Sequence, residues 1–158
     1  MVNLDDLIRV SRDNHYKLLT LVGDNPAKVD EITAYLEDKD WEVYDVEENV
    51  LDLIEDIPEG KIYLRIGDKI KKWVNTLGDR IVLTNTSILC SPELDKITPL
   101  GAFKYLMRGS REAVLFLDAR IRDNKAIYSR PGRDDYCEMD LSEVISEQID
   151  NVIIGGDD

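Results

Sequence analysis

Lys17-Leu18-Leu19-Thr20-Leu21-Val22-Gly23-Asp24-Asn25-Pro26-Ala27-Lys28-Val29-Asp30 is the stretch on which the fold turns. It opens with an apolar run that Gly23 stops, the pattern of a buried strand ending in a turn. Residues 27–38 follow as a helix, with Val29, Ile32 and Leu36 on one face. Upstream, Leu4, Leu7 and Ile8 behind Asn3 as N-cap predict a short helix over 4–13. Downstream, Trp41 to Val46 alternates as a second strand. Val50, Leu53, Ile54 and Ile57 then mark a helix closed by Pro58.

Further along, Lys61 to Ile66 alternates through Ile62, Leu64 and Ile66 and reads as a short strand. Ile70, Trp73, Val74 and Leu77 form a helical face between Asp68 as N-cap and Gly78 as stop. Ile81-Val82-Leu83 and Val114 to Leu117 are buried strands. Thr98-Pro99 opens a helix with Leu100, Phe103, Leu106 and Met107 on its apolar face and Gly109 at its end. Lys125 to Ser129 reads as a weaker strand. Asp140 and Glu143 make a capping box ahead of a helix through Leu141, Val144, Ile145, Ile149, Val152 and Ile153. Continuous apolar strands alternating with amphipathic helices predict a three-layer α/β domain over residues 1–154. Its sheet is mostly parallel with helices on both faces, and residues 155–158 form a disordered tail.

Length and charge bound the function. A chain of 158 residues with 43% hydrophobic content carries one compact core. The net charge of −13 opposes wide contact with nucleic-acid phosphates and with anionic membranes. A single histidine, His15, excludes a multi-histidine metal site and reads as structural. Two cysteines, Cys90 and Cys137, build no disulfide framework. With no long apolar run and an acidic start, the expected setting is cytoplasmic, with no membrane contact.

In a parallel sheet ligands bind beyond the carboxyl ends of the strands, so the Gly23–Asp30 turn is the place for chemistry. A phosphate-binding loop has the form G-x-x-x-x-G-K-[ST], whose backbone amides wrap phosphate. The first Gly and a Lys are present as Gly23 and Lys28, one residue too close together. Ala27 replaces the second Gly, Val29 the hydroxyl, Pro26 removes an amide and Asp24 adds a negative charge. The acidic residue that ends a second strand in such enzymes and organises Mg²⁺ is replaced by Thr84, followed by Asn85. The residual nucleotide-binding set is therefore Gly23, Asn25, Lys28, Thr84 and Asn85, with ATP and magnesium as the cofactors it would take. No catalytic or metal-ligating residue is assigned.

From the first strand onward the order of segments resembles the BrxF family, small P-loop proteins of type 3 BREX phage-resistance systems. The likeness rests on the strand, loop and helix around Gly23 and Lys28, on Ile81 to Leu94 with Thr98-Pro99-Leu100, and on Leu106 to Arg111 followed by Ser129 to Tyr136. It covers roughly residues 17–138. The resemblance implies a P-loop NTPase-like fold and an accessory role in a phage-defence assembly. The family's intact loop and strand-end Asp, which imply ATP binding, are absent.

Arg108 and Arg111 are read as arginines that reach a partner, or as a solvated helix end. Arg120, Arg122, Arg130 and Arg133 join them to concentrate positive charge in residues 108–133, either as one local patch or as dispersed surface arginines among acids. Glu47-Glu48 with Asp52, Glu55 and Asp56 reads as the solvated face of a helix. The leading expectation is a degenerate P-loop protein that acts through other subunits of a defence complex or further copies of itself, with weak or no nucleotide turnover. The alternatives are a small NTP-hydrolysing or phosphoryl-transfer enzyme using Lys28 with Asn85 or Asp118, and an acidic DNA mimic.

Overall fold

A computed structural model describes residues 1–155 of the chain. Of the tail expected over 155–158, all but Gly155 lies outside the described residues. The chain begins with β1 (Val2–Asn3) and α1 (Leu4–Arg12), and the Asn3 side chain accepts the Asp5 amide at 2.9 Å as N-cap. β2 (Leu18–Val22) is buried at every residue and leads through a three-residue turn into α2 (Pro26–Glu37). β3 (Glu42–Asp45), α3 (Val46–Ile54), α4 (Ile62–Val74), β4 (Arg80–Thr84), α5 (Pro99–Phe103) and β5 (Glu112–Leu117) follow. Strands β2, β3, β4 and β5 join β9 (Ser146–Gln148) in a five-stranded parallel sheet of order β3-β4-β5-β2-β9. β1 pairs in parallel with β10 (Val152–Ile153) in a separate ribbon.

Each sheet face has its own core, because alternate residues of a strand point to opposite sides. On one face Leu19, Leu21, Val82, Val114 and Phe116 pack against α1 and α2 through Leu4, Leu7, Ile32 and Leu36. On the other, Leu18, Ile81, Leu83, Ala113 and Leu115 pack against α3, α4 and α5 through Val46, Val50, Ile66, Ile70 and Phe103. The α/β class, the parallel sheet and the helices on both faces are as expected. Each of these side chains but that of Ala113 contributes about 1.5–3 kcal/mol by leaving water.

A three-stranded antiparallel sheet, β6 (Arg120–Arg122), β7 (Lys125–Tyr128) and β8 (Cys137–Asp140), follows β5. Its first hairpin turns on Asp123 and Asn124, both at positive φ (52° and 61°), as a two-residue loop between right-twisted strands requires.

The structure corrects three readings. Residues 61–66 are not a strand: a 3-10 turn at Glu59–Lys61 runs into α4. Ile62, Ile66, Ile70 and Val74 make one continuous buried stripe at four-residue spacing, and Leu64 points outward, 66% exposed. Asp68 is thus mid-helix rather than an N-cap. The helix expected over 141–153 is instead β9, a 3-10 turn (Ile149–Asn151) and β10. Leu141 and Val144 enter one core, whereas Ile149 and Val152 enter the other, which one helix face could not do. Asp140 does cap, but only a local turn, accepting the Ser142 amide at 2.9 Å. The helix from Thr98-Pro99 is also shorter than read. The Thr98 hydroxyl accepts the Gly101 amide at 3.1 Å, and α5 gives way at Lys104 to a 3-10 turn. Lys104 is buried against Tyr16 and Tyr105, with Glu143 taking its ammonium at 2.8 Å.

Candidate functional site

All five strands of the main sheet run the same way, so one edge collects their carboxyl ends. α2 leaves β2 toward one face, and the segments after β3 and β4 pack on the other. The chain therefore splays apart beyond β2, β4 and β5, the place where open parallel sheets bind ligands. A cavity of about 530 Å³ lies there, lined by the Gly23–Pro26 turn, Thr84 to Ser87, Leu117, Asp118 and Tyr128.

Gly23 owes its place to packing. It sits at φ +146°, where only glycine is comfortable, and a Cβ there would stand 2.7 Å from Ile149 Cγ2. Its amide donates to the Leu117 carbonyl at 2.9 Å, inside the sheet rather than toward a ligand. Asn25 closes the turn as the N-cap of α2. Its Oδ1 accepts the Lys28 amide at 3.1 Å, its carbonyl accepts the Val29 amide at 3.0 Å, and its Nδ2 donates to Asp150 Oδ1 at 2.7 Å. Pro26 has no amide to offer. Of the first helical amides only that of Ala27 is left for an anion, whereas a phosphate cradle needs several converging.

Lys28 does not line the cavity. The wall of α2 is made by Pro26, Val29, Asp30 and Thr33. Lys28 lies about 200° round the helix from Asp30, at 100° per residue. Thr33 was not anticipated from sequence. Its buried hydroxyl has no hydrogen-bond partner among the described residues, a state that normally calls for water or a ligand. A threonine on an otherwise ordinary helix gives no sequence signal of that kind.

On the opposite wall, Thr84 and Asn85 are both present but engaged. The Thr84 hydroxyl donates to the Tyr44 carbonyl at 3.4 Å. Asn85, at φ +50°, donates its amide to Asp45 Oδ2 at 2.8 Å, while Asp45 Oδ1 caps α3 through the Glu48 amide at 3.0 Å. The pair thus ties the carboxyl ends of β3 and β4 together. The Thr86 hydroxyl is buried and donates to the Phe116 carbonyl at 2.6 Å. Asp118 directly follows β5, and its carboxyl is pushed above the ordinary carboxylate value, first by partial burial and then by the charge of Asp24. Two carboxylates at the mouth repel a polyphosphate. Among the described residues no group of three or more His, Cys, Asp or Glu side chains is arranged to hold a metal ion.

The arginines divide between the two ends of the sheet. Arg108 and Arg111 precede β5 and so stand at the amino edge, away from the cavity. Arg111 is a structural tie: it donates to the Val74 carbonyl and, at 3.0 Å, to Asn75 Oδ1, closing the end of α4. Arg120, Arg130 and Arg133 instead line a second hollow of about 650 Å³ that shares Asp24, Asp118 and Tyr128 with the main cavity. There Arg120 donates to the Ser129 carbonyl at 2.8 Å, and Arg133 stands 3.4 Å from Asp135. Residues 108–133 therefore do not form one basic patch, and the arginine-lined hollow carries three carboxylates as well.

No family model matches the chain, and neither a curated protein nor a solved structure matches it significantly. No helix among the described residues is long and apolar enough to cross a membrane.

Proposed function

We propose that this chain is a non-hydrolysing binding subunit of P-loop-like ancestry, acting through protein partners, and that those partners belong to a phage-defence assembly. The observation that carries the first part is the amide-poor turn at Asn25-Pro26. The turn between β2 and α2 lies where a phosphate loop would, but Pro26 has no amide to offer and the Asn25 cap takes that of Lys28. Lys28 turned off the cavity wall and Asp118 beside Asp24 at its mouth support the same reading. The defence setting rests on the ordered likeness to the BrxF family.

A thermal-shift titration with Mg-ATP, Mg-ADP and Mg-GTP tests the binding claim. A ligand at a hundred times its Kd stabilises by about 2.7 kcal/mol. In a domain of this size that is a rise of about 5–11 °C. The expected result is no rise. The assembly claim is tested by reconstitution with the methyltransferase, phosphatase-like protein and large ATPase of a BREX locus, which the chain is expected to join without nucleotide.

A small NTP-using enzyme is the second reading, favoured by the cavity at the carboxyl edge of the sheet, which holds Asp118. A magnesium-dependent ATPase rate that falls on Asp118→Asn but not on Lys28→Ala would replace the first reading with this one.

A further inference from the structure

The neighbouring helices α3 and α4 present opposite charge to solvent. From residue 46 to 56 the chain carries Glu47, Glu48, Asp52, Glu55 and Asp56 and no Lys or Arg. From residue 61 to 72 it carries Lys61, Arg65, Lys69, Lys71 and Lys72 against a single Asp68. In a chain with 20 basic and 33 acidic residues, that basic block is the exception. Although the two helices touch, no ion pair joins them among the described residues. The only one on either helix is Lys72 with Asp68, at 3.0 Å within α4. A groove of about 620 Å³ runs between them, lined by half-buried Leu53 of α3 and, from α4, by half-buried Trp73, the exposed Leu64 and the charged Arg65, Asp68, Lys69 and Lys72.

We propose that this face binds a second copy of the chain, about a two-fold axis lying along the groove. That axis carries α3 across the groove, so each acidic helix lies over the partner's basic helix, twice in one dimer. The other in-plane axis, across the helices, would set acid on acid and base on base, and charge selects against it. Leu53, Leu64 and Trp73 supply the apolar contact, and the charges of α4 that pair across the dimer line the same groove.

The size of the face sets the class of contact. α4 is 13 residues long, about 20 Å, and two helices side by side span about 20 Å. The flat area is roughly 400 Å² per copy, in the class of weak and transient contacts. The dimer is therefore expected to be weak and reversible, and to weaken with salt because its charges are exposed.

Sedimentation velocity on the full chain, from about 10 to 200 µM and from about 50 to 500 mM NaCl, tests this. Two charge-reversed variants sharpen it: Arg65→Glu with Lys71→Glu and Lys72→Glu, and Glu48→Lys with Asp52→Lys and Glu55→Lys. All six positions are exposed, and circular dichroism and thermal unfolding confirm that each variant folds. Each alone is expected to be monomeric, since acid then faces acid or base faces base. Mixed one to one, they are expected to associate at least about tenfold more tightly than either alone, because both seams become complementary again. Leu64→Glu is a milder single change, expected to weaken self-association about tenfold. A wild-type chain monomeric at the highest concentration overturns the proposal. So does a variant that dimerises like wild type, or a mixture of folded variants that stays monomeric.

Discussion

Replacing Gly23 by alanine separates a packing role from a phosphate-binding one. The new Cβ would lie 2.7 Å from Ile149 Cγ2, and the backbone there sits at φ +146°. Overpacking costs about 1–3 kcal/mol, and the strained backbone about as much again. Gly23→Ala should therefore destabilise by about 2–6 kcal/mol, against a typical total of about 5–15. For a loss of about 4 kcal/mol the midpoint falls by about 8–16 °C in a chain of this length. Ile149→Ala removes the offending Cγ2, and the next atom, Ile149 Cβ, is 3.8 Å away, an ordinary contact. Alone it costs about 2–5 kcal/mol, since Ile149 is buried. The double variant should be more stable than the two losses added, by the steric share of about 1–3 kcal/mol. Urea unfolding followed by the fluorescence of Trp41 and Trp73 gives all four corners of the cycle. Strict additivity, or a Gly23→Ala loss below about 0.5 kcal/mol, would refute the packing role and return Gly23 to the ligand.

The split among the arginines yields a contrast. Arg111→Ala should cost about 1–3 kcal/mol by unpairing the end of α4, whereas Arg108→Ala, exposed and without a partner among the described residues, should stay within about 0.5 kcal/mol in the same urea assay. Asp118 gives a pH signature. Its raised pKa means that ionisation opposes folding, so Asp118→Asn should stabilise at pH 7, by a few tenths of a kcal/mol on a partly exposed group. The gain should shrink as pH falls through the raised value and vanish below the ordinary 3.8, followed by thermal unfolding. A gain that grows on acidification would contradict the sign.

The central strands were legible because a strand buried on both faces is nearly all apolar: Ile81 to Leu83 is so throughout, and Leu18 to Val22 but for Thr20, whose hydroxyl is satisfied by the Leu18 carbonyl. The helix starts at Asn3 and Thr98-Pro99 were legible because capping is local chemistry. The failures have separate causes, and the first is that spacing does not say which core a side chain enters. Leu141 to Ile153 carries a helical interval, yet its members serve both faces of the sheet. Ile62, Leu64 and Ile66 alternate like a strand, but the longer stripe through Ile70 and Val74 decides for a helix. At the site, the missing amides were visible in Pro26 and in the replaced glycine. The locking of Asn85 by Asp45 depends on a neighbour distant in sequence and the unpartnered hydroxyl of Thr33 on the packing around it, whereas the rotation of Lys28 off the cavity wall follows from the phase of α2.

The order of the main sheet also sets a timetable. β2 lies between β5 and β9, so one of its edges stays bare until residues 146–148 are made. The ribbon of β1 with β10 waits longer still, for residues 152–153. Between the synthesis of residue 117 and residue 153 a ribosome adding about 5–20 residues per second needs roughly 2–7 s. Until β9 is made within that interval, the fully buried β2 offers one backbone edge to any extended segment nearby. The short, polar β9 (Ser146-Glu147-Gln148) that finally covers it serves as a latch against strand exchange, and the cell's window for misassembly closes only when it arrives.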